Sequence, residues 1–345
     1  MFASKDAFES TMCQLRLYTL AKAYFDGALD IVGPLDKAAD VLFAVNLASD
    51  VRQNLFERLN QLVFRFAKAN LPYFSSRFES DPHYSLDAAA YQLFLDRHMQ
   101  YTCGKFERGN ETLDEAQENK FEFIRTLATP IIGKLEGARH LDIGCGWGGL
   151  VAYFRDQFKS DSVGNTNSAA MKRYAERHNG LKIAYGDFAT LSHFHNRFDL
   201  VTVVGMAEHL TPSRRAQLLK IVSGSLRKGG ALYFQCIAKP SAWIGGDAYR
   251  IAYEDVFPGH FLETPAEMAA RFERYGFEIV HSQEDGPDYA KTTALWAQNL
   301  QTNRLQISEL IGERNFRVMF GYLAFGSKLF AERHGSLMRY LLRRR

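Results

Sequence analysis

The period of the apolar positions changes once along the chain. Leu15, Leu17, Leu20 and Ala21, and later Leu55, Leu59, Leu62 and Phe66, recur at helical spacing, so residues 8–75 are expected to be mostly helical. Between these runs, Tyr24-Phe25-Asp26-Gly27 through Gly33-Pro34-Leu35-Asp36 carries Gly and Pro punctuation and predicts a short extended segment or hairpin. Residues 69–83 read as a linker. Beyond them, short apolar runs alternate with helical stretches. Strands are expected at Arg139–Ile143, ending at Ser162-Val163-Gly164, at Leu200–Val204, at Ala231–Ile237 and, at a sheet edge, at Phe277–Val280. Such alternation predicts a largely parallel sheet flanked by helices. The expected organisation is a small, mostly helical N-terminal domain over residues 1–80 and an α/β domain over residues 81–345.

The sharpest motif is Leu141-Asp142-Ile143-Gly144-Cys145-Gly146-Trp147-Gly148-Gly149-Leu150. A strand ends at Asp142, four glycines fall in six residues, and a helical stretch from Val151 to Gln157 follows. Glycines here let the backbone approach a ligand where a Cβ would collide. The strand–loop–helix context is the one such a motif requires. The loop is not a dinucleotide GxGxxG. Its leading acidic residue, D-x-G-x-G, is the pattern of S-adenosylmethionine methyltransferases. Asp142 would shape the turn and approach the ammonium of the cofactor's amino acid.

Composition and charge narrow the picture. The 345 residues include 27 Phe and 16 Tyr, which suit either a pocket for a greasy substrate or an ordinary aromatic core. A net charge of +3 gives no strong field for nucleic acid. Positive charge collects at the end, Arg339-Tyr340-Leu341-Leu342-Arg343-Arg344-Arg345. That end is read as a lipid-facing basic segment or as a solvated tail. Cys13, Cys103, Cys145 and Cys236 form no CxxC pair, so no metal site and no disulfide framework is expected, and reduced thiols suit a cytoplasmic protein. No apolar run reaches membrane-spanning length, and the N-terminus lacks a signal-peptide core.

Seven blocks, in one order, carry a resemblance. They are Tyr24-Phe25-Asp26-Gly27 to Gly33-Pro34-Leu35, His83-Tyr84-Ser85-Leu86 to Leu93-Phe94-Leu95-Asp96, Met99-Gln100-Tyr101-Thr102-Cys103, Thr112-Leu113-Asp114-Glu115-Ala116-Gln117-Glu118-Asn119-Lys120, Gly205-Met206-Ala207-Glu208-His209, Phe257-Pro258-Gly259, and Asp288-Tyr289-Ala290-Lys291-Thr292. From about residue 82 onward the chain resembles the cyclopropane fatty acid and mycolic acid synthases. Tyr24-Phe25-Asp26-Gly27 to Gly33-Pro34-Leu35 is similar to the N-terminal domain of bacterial members.

The resemblance implies a Rossmann-like, seven-stranded methyltransferase sheet with helices on both faces. It implies S-adenosylmethionine as cofactor, held by Tyr101, Thr102, Asp142, Gly144, Cys145, Gly146, Thr166 and Asp187, with Thr166 toward the ribose and Asp187 toward the adenine. Where the family has a Gln after that Thr, this chain has Met171. The family's chemistry is methylation of an alkene carbon through a carbocation, which needs a dry pocket and a positioned base. In relatives the base is a bicarbonate ion held by a Cys, a Glu, a His, a Tyr and a backbone amide near an Ile. By position these are Cys103, Glu208, Gln235 in place of the His, Tyr289 in an expected Gly286-Pro287-Asp288-Tyr289 turn, and Ile237, with His209 beside Glu208. Gln235 keeps a donor but cannot take a positive charge. His260 is a second candidate for the missing His, and Trp243, Tyr249 and Tyr253 read as a lid or as packing. The implied partners are an unsaturated phospholipid or fatty acyl chain and a peripheral contact with the inner face of a membrane, with a homodimer among the expected states. The rival reading is a small-molecule N- or C-methyltransferase on the same scaffold.

Overall fold

The computed structural model describes residues 1–12, 16–33, 35–51, 88–240, 246–257 and 260–345. The chain divides into two compact units: Met1–Phe94 with Ala242–His260 and Ala290–Gly335, and Leu95–Ser241 with Phe261–Tyr289 and Ser336–Arg345. The helical repeat over Leu55–Phe66, the linker at 69–83, the boundary at residue 80, and Trp243 lie outside the described residues.

In the first unit, helix Leu17–Phe25 buries Leu17, Leu20, Tyr24 and Phe25, the face its spacing selects. The chain then turns at Gly27 (φ 77°) into a short extended segment and not a hairpin; among the described residues that segment pairs through a bridge from Leu29 to Phe2. The long helix Glu313–Ala331 buries Phe316, Phe320, Leu323 and Phe330. A Cβ on its Gly321 would stand 3.3 Å from the rings of both Tyr24 and Phe25, so the absent side chain is what lets these aromatics seat. Arg317 donates to the Tyr24 carbonyl at 3.2 Å and, through Nε, to Glu313 at 2.8 Å. Together these elements form an open apolar pocket of about 440 Å³, lined among others by Leu20, Tyr24, Leu42, Ile251, Tyr322 and Phe325.

The second unit is a seven-stranded sheet of order β3-β2-β1-β4-β5-β7-β6. The strands are β1 Arg139–Ile143, β2 Asp161–Thr166, β3 Ile183–Tyr185, β4 Phe198–Val204, β5 Leu226–Ala238, β6 Phe277–Glu284 and β7 Ser336–Arg344. β1 to β5 pair in parallel, so their C-terminal ends share one edge, where ligands of such sheets bind. Leu218, Val222 and Phe272 pack in the core on one side of the sheet, and Phe121, Ile124 and Phe154 in a second cluster. Burial on both faces explains the β-branched and leucine-rich runs of β4 and β5.

β6 is the edge strand the sequence predicts. The basic C-terminus is not a free tail. It is β7, antiparallel to β5 and β6, with Leu337 to Leu342 buried. Arg343 pairs with Glu278 at 2.7 Å, and Arg344 donates to Asn196 Oδ1 at 2.6 Å. Because β7 runs antiparallel, Arg343 stands opposite Ala231, at the end of the sheet away from the ligand edge.

Candidate active site

Between β1 and helix Gly149–Phe158 the chain makes a tight loop. The N–H groups of Gly144 and Cys145 both donate to the Asn165 carbonyl at 2.9 Å, and that of Gly148 donates to Cys145 O at 2.9 Å. Gly144, Gly146 and Gly148 have φ of 78°, 56° and 84°, values that favour glycine. Their surroundings differ. A Cβ on Gly144 would meet the Met206 side chain at 2.8 Å, and one on Gly148 would meet Leu181 Cδ1 at 2.6 Å. A Cβ on Gly146 would meet nothing within 4 Å. Gly144 and Gly148 are therefore small for packing, and Gly146 borders the open space at the helix N-terminus, a ready cradle for a ligand. The Cys145 side chain points away from that space, among Val151, Ala175, Leu181 and Ile183, and burial pushes its thiol well up. Only its backbone serves the loop.

Asp142 is buried beneath the loop and accepts from Thr202 Oγ1 at 2.7 Å. Thr202 lies 2.9 Å from His140 Nε2, and His140 Nδ1 lies 3.0 Å from Ser162 Oγ. Since the Thr202 hydroxyl gives its proton to Asp142, His140 must donate from Nε2 and accept at Nδ1. Burial pushes the Asp142 carboxyl up to about 6, with the Thr202 bond and Lys120 opposing. It holds the imidazole of His140 down at about 3, hence neutral. Lys120 is fully buried and donates to Thr102 Oγ1 at 2.6 Å and Gln100 Oε1 at 3.2 Å. Desolvation lowers its ammonium, and the neighbouring Asp96 opposes that. Thr102 packs close against the end of β4: a Cβ on Gly205 would sit 2.5 Å from its Cγ2. Tyr101, partly buried, precedes it.

Thr166 ends β2, and its hydroxyl accepts from Ser168 N–H at 3.2 Å. Met171 is buried on helix Ala169–Asn179. Asp187 caps the following turn, accepting from Ala189 N–H at 2.8 Å, and its other oxygen is paired with Arg214. An adenine amino group would share a carboxylate that already has partners.

After β4, the turn Ala207–His209 presents Glu208. One carboxyl oxygen accepts from Ile237 N–H at 3.4 Å. The other is buried with no hydrogen-bond partner among the described residues. Burial pushes this carboxyl up to about 7, against the pull of Arg215 and the Ile237 amide. Arg215 braces the turn from behind, donating to Ala207 O at 2.7 Å and pairing with Glu263 at 2.8 Å. Desolvation lowers His209 to about 4, so it is neutral at physiological pH.

On the same face of β5, two residues before Ile237, Gln235 donates from Nε2 to the Cys103 carbonyl at 3.4 Å. The Cys103 thiol donates to Gly104 O at 3.1 Å. The structure thus brings Cys103, Gln235, Ile237 and Glu208 to one end of β5. Tyr289 lies not in a turn but in the first turn of helix Gly286–Thr302, with its N–H on Asp285 O at 3.2 Å. His260 belongs to the first unit, where Nδ1 lies 3.1 Å from Phe257 O and the ring packs on Tyr249 at 4.8 Å. It has the contacts of a packing residue.

A buried cluster absent from the sequence reading stands behind Gln235. Arg339 of β7, 0% exposed, donates to Gln235 Oε1 at 2.7 Å, Tyr233 Oη at 3.3 Å, Gly104 O at 2.7 Å and Asp285 Oδ2 at 2.6 Å. Lys105 pairs with Asp285 and Asp288 at 3.2 and 3.4 Å. Lys120 stood within a quoted motif, but nothing in its spacing marks it as buried.

The model of the mycolic acid cyclopropane synthetase family matches residues 75–340. The chain belongs to this family. Its members are S-adenosylmethionine-dependent methyltransferases, and the open space at Gly146 fits that cofactor. The cyclopropane-fatty-acyl-phospholipid synthase of Escherichia coli is 30% identical over 246 residues, covering 70% of this chain and 60% of that one. The first curated relatives are covered over 60–63% of their length. The solved cyclopropane synthase MmaA2 of Mycobacterium tuberculosis superposes with a TM-score of 0.68 at 24% identity, over 80% of this chain and 100% of that one. A coclaurine N-methyltransferase bound to N-methylheliamine superposes with a TM-score of 0.67 at 18% identity, over 95% of this chain and 98% of that one. Both likenesses are of fold.

Proposed function

We propose that this family member transfers a one-carbon unit from S-adenosylmethionine to the double bond of an unsaturated acyl chain in a phospholipid. The observation that carries the reading is Glu208. A fully desolvated carboxyl with one oxygen unpartnered sits at the ligand edge of the sheet, beside an amide N–H and the Cys103–Gln235 pair. Leaving such an oxygen without a partner costs about 1–3 kcal/mol, a cost expected where an atom awaits a reactant.

When bound, the cofactor supplies an electrophilic methyl. The glycine loop, Thr166 and Asp187 would hold it, and passing that methyl to an alkene carbon would leave a substrate cation that needs a proton acceptor. Loss of a proton from the transferred carbon closes a ring. Glu208, held up at about 7, is poised near neutrality to take or relay that proton. With Glu208 protonated, its O–H and Gln235 Nε2–H would instead form a donor pair that fits bicarbonate, and bicarbonate rather than Glu208 would then accept the proton.

The first unit supports a lipid substrate. Its pocket of about 440 Å³ is lined almost wholly by apolar residues, and its size is within the range of ligand sites. Val32 and Val41 line the pocket and are also 75% and 63% exposed, with Phe8 and Met12 of the same unit exposed nearby in sequence. This apolar rim is proposed as the part that meets the bilayer. Among the described residues no helix is long and apolar enough to cross a membrane.

The rival is amine methylation, favoured by the coclaurine N-methyltransferase fold likeness, which extends over 95% of the chain. Purified protein with methyl-labelled cofactor decides between them. Label in monounsaturated phospholipid vesicles supports the proposal; label in small amines, with vesicles untouched, replaces it.

A further inference from the structure

The cluster behind Gln235 bears on how the site works without a histidine. Gln235 and Arg339 are direct cross-strand partners in the β5–β7 ladder. The Arg339 guanidinium has five N–H groups, and five acceptors surround it. Nε serves Asp285. Nη1 serves Gln235 Oε1 and Tyr233 Oη. Nη2 serves Gly104 O and, at 3.5 Å, Cys103 Sγ. With its donors taken, the guanidinium has none left for a ligand and acts through its neighbours.

Three consequences follow from that fork. An amide oxygen that accepts from both Arg339 and Tyr233 fixes which way the Gln235 side chain points, so both N–H donors of Nε2 face away from β7, one toward Cys103 O. Cys103 is held at its thiol and through its neighbour Gly104. Asp285, which precedes the helix of Tyr289 and accepts that residue's N–H, is tied to the same cation, with Asp288 3.9 Å away. One buried side chain thereby ties Cys103 and Gln235 to Asp285, whose carbonyl accepts the Tyr289 N–H.

We propose that Arg339 is the positioning residue of this site: its guanidinium locks Gln235, Cys103 and the Tyr289 turn into a donor pocket for a small oxyanion of the bicarbonate class, doing from β7 what an imidazole on β5 would otherwise do. The inference rests on the assignment of the Glu208 region as the methyl-transfer site. The charge is permanent, because Arg does not titrate in proteins. It is neutralised locally, since Arg339 and Lys105 face Asp285 and Asp288, so what it contributes is geometry rather than net attraction. A Lys in its place keeps the charge and loses the fork.

The test reads anion and cofactor binding separately. The full chain is titrated with ¹³C-bicarbonate by NMR in the presence of S-adenosylhomocysteine, and S-adenosylhomocysteine affinity is measured by calorimetry. Gln235→Glu is isosteric, keeps an acceptor for Arg339 and Tyr233, and puts a carboxylate oxygen where the donor was. Bicarbonate affinity should fall at least about tenfold, the size of one charge-assisted hydrogen bond, while S-adenosylhomocysteine affinity stays within about twofold. Arg339→Lys should show the same split; if it fails to fold, Gln235→Glu still decides. Wild-type bicarbonate affinity in either folded variant overturns the proposal, as does a wild-type protein that binds no bicarbonate. Bicarbonate binding with this split, in a protein that never labels lipid, overturns the substrate assignment and leaves the positioning role standing.

Discussion

The Glu208 carboxyl makes a quantitative prediction about stability that needs no substrate. Burial raises it from 4.5 to about 7 in the folded chain. Folded protein therefore holds this proton more tightly than unfolded protein does, and stability falls as pH rises between the two values. The contribution is fully present below about pH 4.5 and lost above about pH 7. At 1.36 kcal/mol per pH unit, the total is about 3.4 kcal/mol, of which about 2 kcal/mol falls between pH 5.5 and pH 8. Glu208→Gln cannot ionise. Any cost of its new amide is the same at both ends. Urea unfolding of the cofactor-free wild type and variant at pH 5.5 and pH 8 gives four free energies. Their double difference should show the wild type losing about 2 kcal/mol more than the variant on going to the higher pH. A double difference near zero would mean the carboxyl titrates in its ordinary range and is solvated, and the description of Glu208 as a desolvated acid poised near neutrality would fall with it.

Other residues are equally open to test. Gly146→Ala should cost about 1–2 kcal/mol for a left-handed Ala and at least tenfold in S-adenosylhomocysteine affinity, whereas Gly148→Ala, whose Cβ meets Leu181, should cost about 2–5 kcal/mol of stability through strain and overpacking; calorimetry and urea unfolding separate the two. Thr202→Val leaves Asp142 without its donor and His140 Nε2–H without its acceptor, so a loss of about 2–5 kcal/mol is expected in urea unfolding. Val32→Asp with Val41→Asp places charge on the exposed pocket rim and should weaken sedimentation with phospholipid vesicles at least tenfold while leaving cofactor affinity unchanged.

Much of the sheet was legible because its central strands are buried on both faces and therefore read as continuous apolar runs. β1, β4 and the C-terminal end of β5 could be bounded within two residues, whereas β5 starts at Leu226, ahead of the expected Ala231; the glycine loop was legible because backbone geometry restricts its residue types. β7 was not. Its Ser336-Leu337-Met338-Arg339-Tyr340-Leu341-Leu342-Arg343-Arg344 has charged residues at both its centre and its end, a pattern that local periodicity assigns to a solvated or membrane-facing segment. Only the tertiary partners of Arg339 and Arg343 make it a strand. The same applies to the site. Glu208 followed from its place after β4, but the Arg339–Gln235 pair joins residues 104 positions apart, and no spacing in the chain links them. The chain Asp142–Thr202–His140–Ser162 crosses three strands and was invisible for the same reason. The Gly286-Pro287-Asp288 run before Tyr289 reads locally as turn punctuation, whereas Pro287 sits in the opening turn of a helix, where its missing N–H costs nothing.

The measurement that tests the central claim most directly is mass spectrometry of membrane lipids from a bacterial host that lacks its own cyclopropane synthase and expresses this chain, beside the same host expressing Glu208→Gln. The account predicts that unsaturated phospholipid acyl chains gain one CH₂ with loss of the double bond in the first culture and not in the second. Unaltered lipids in the first culture, from protein that still binds S-adenosylhomocysteine, would contradict it.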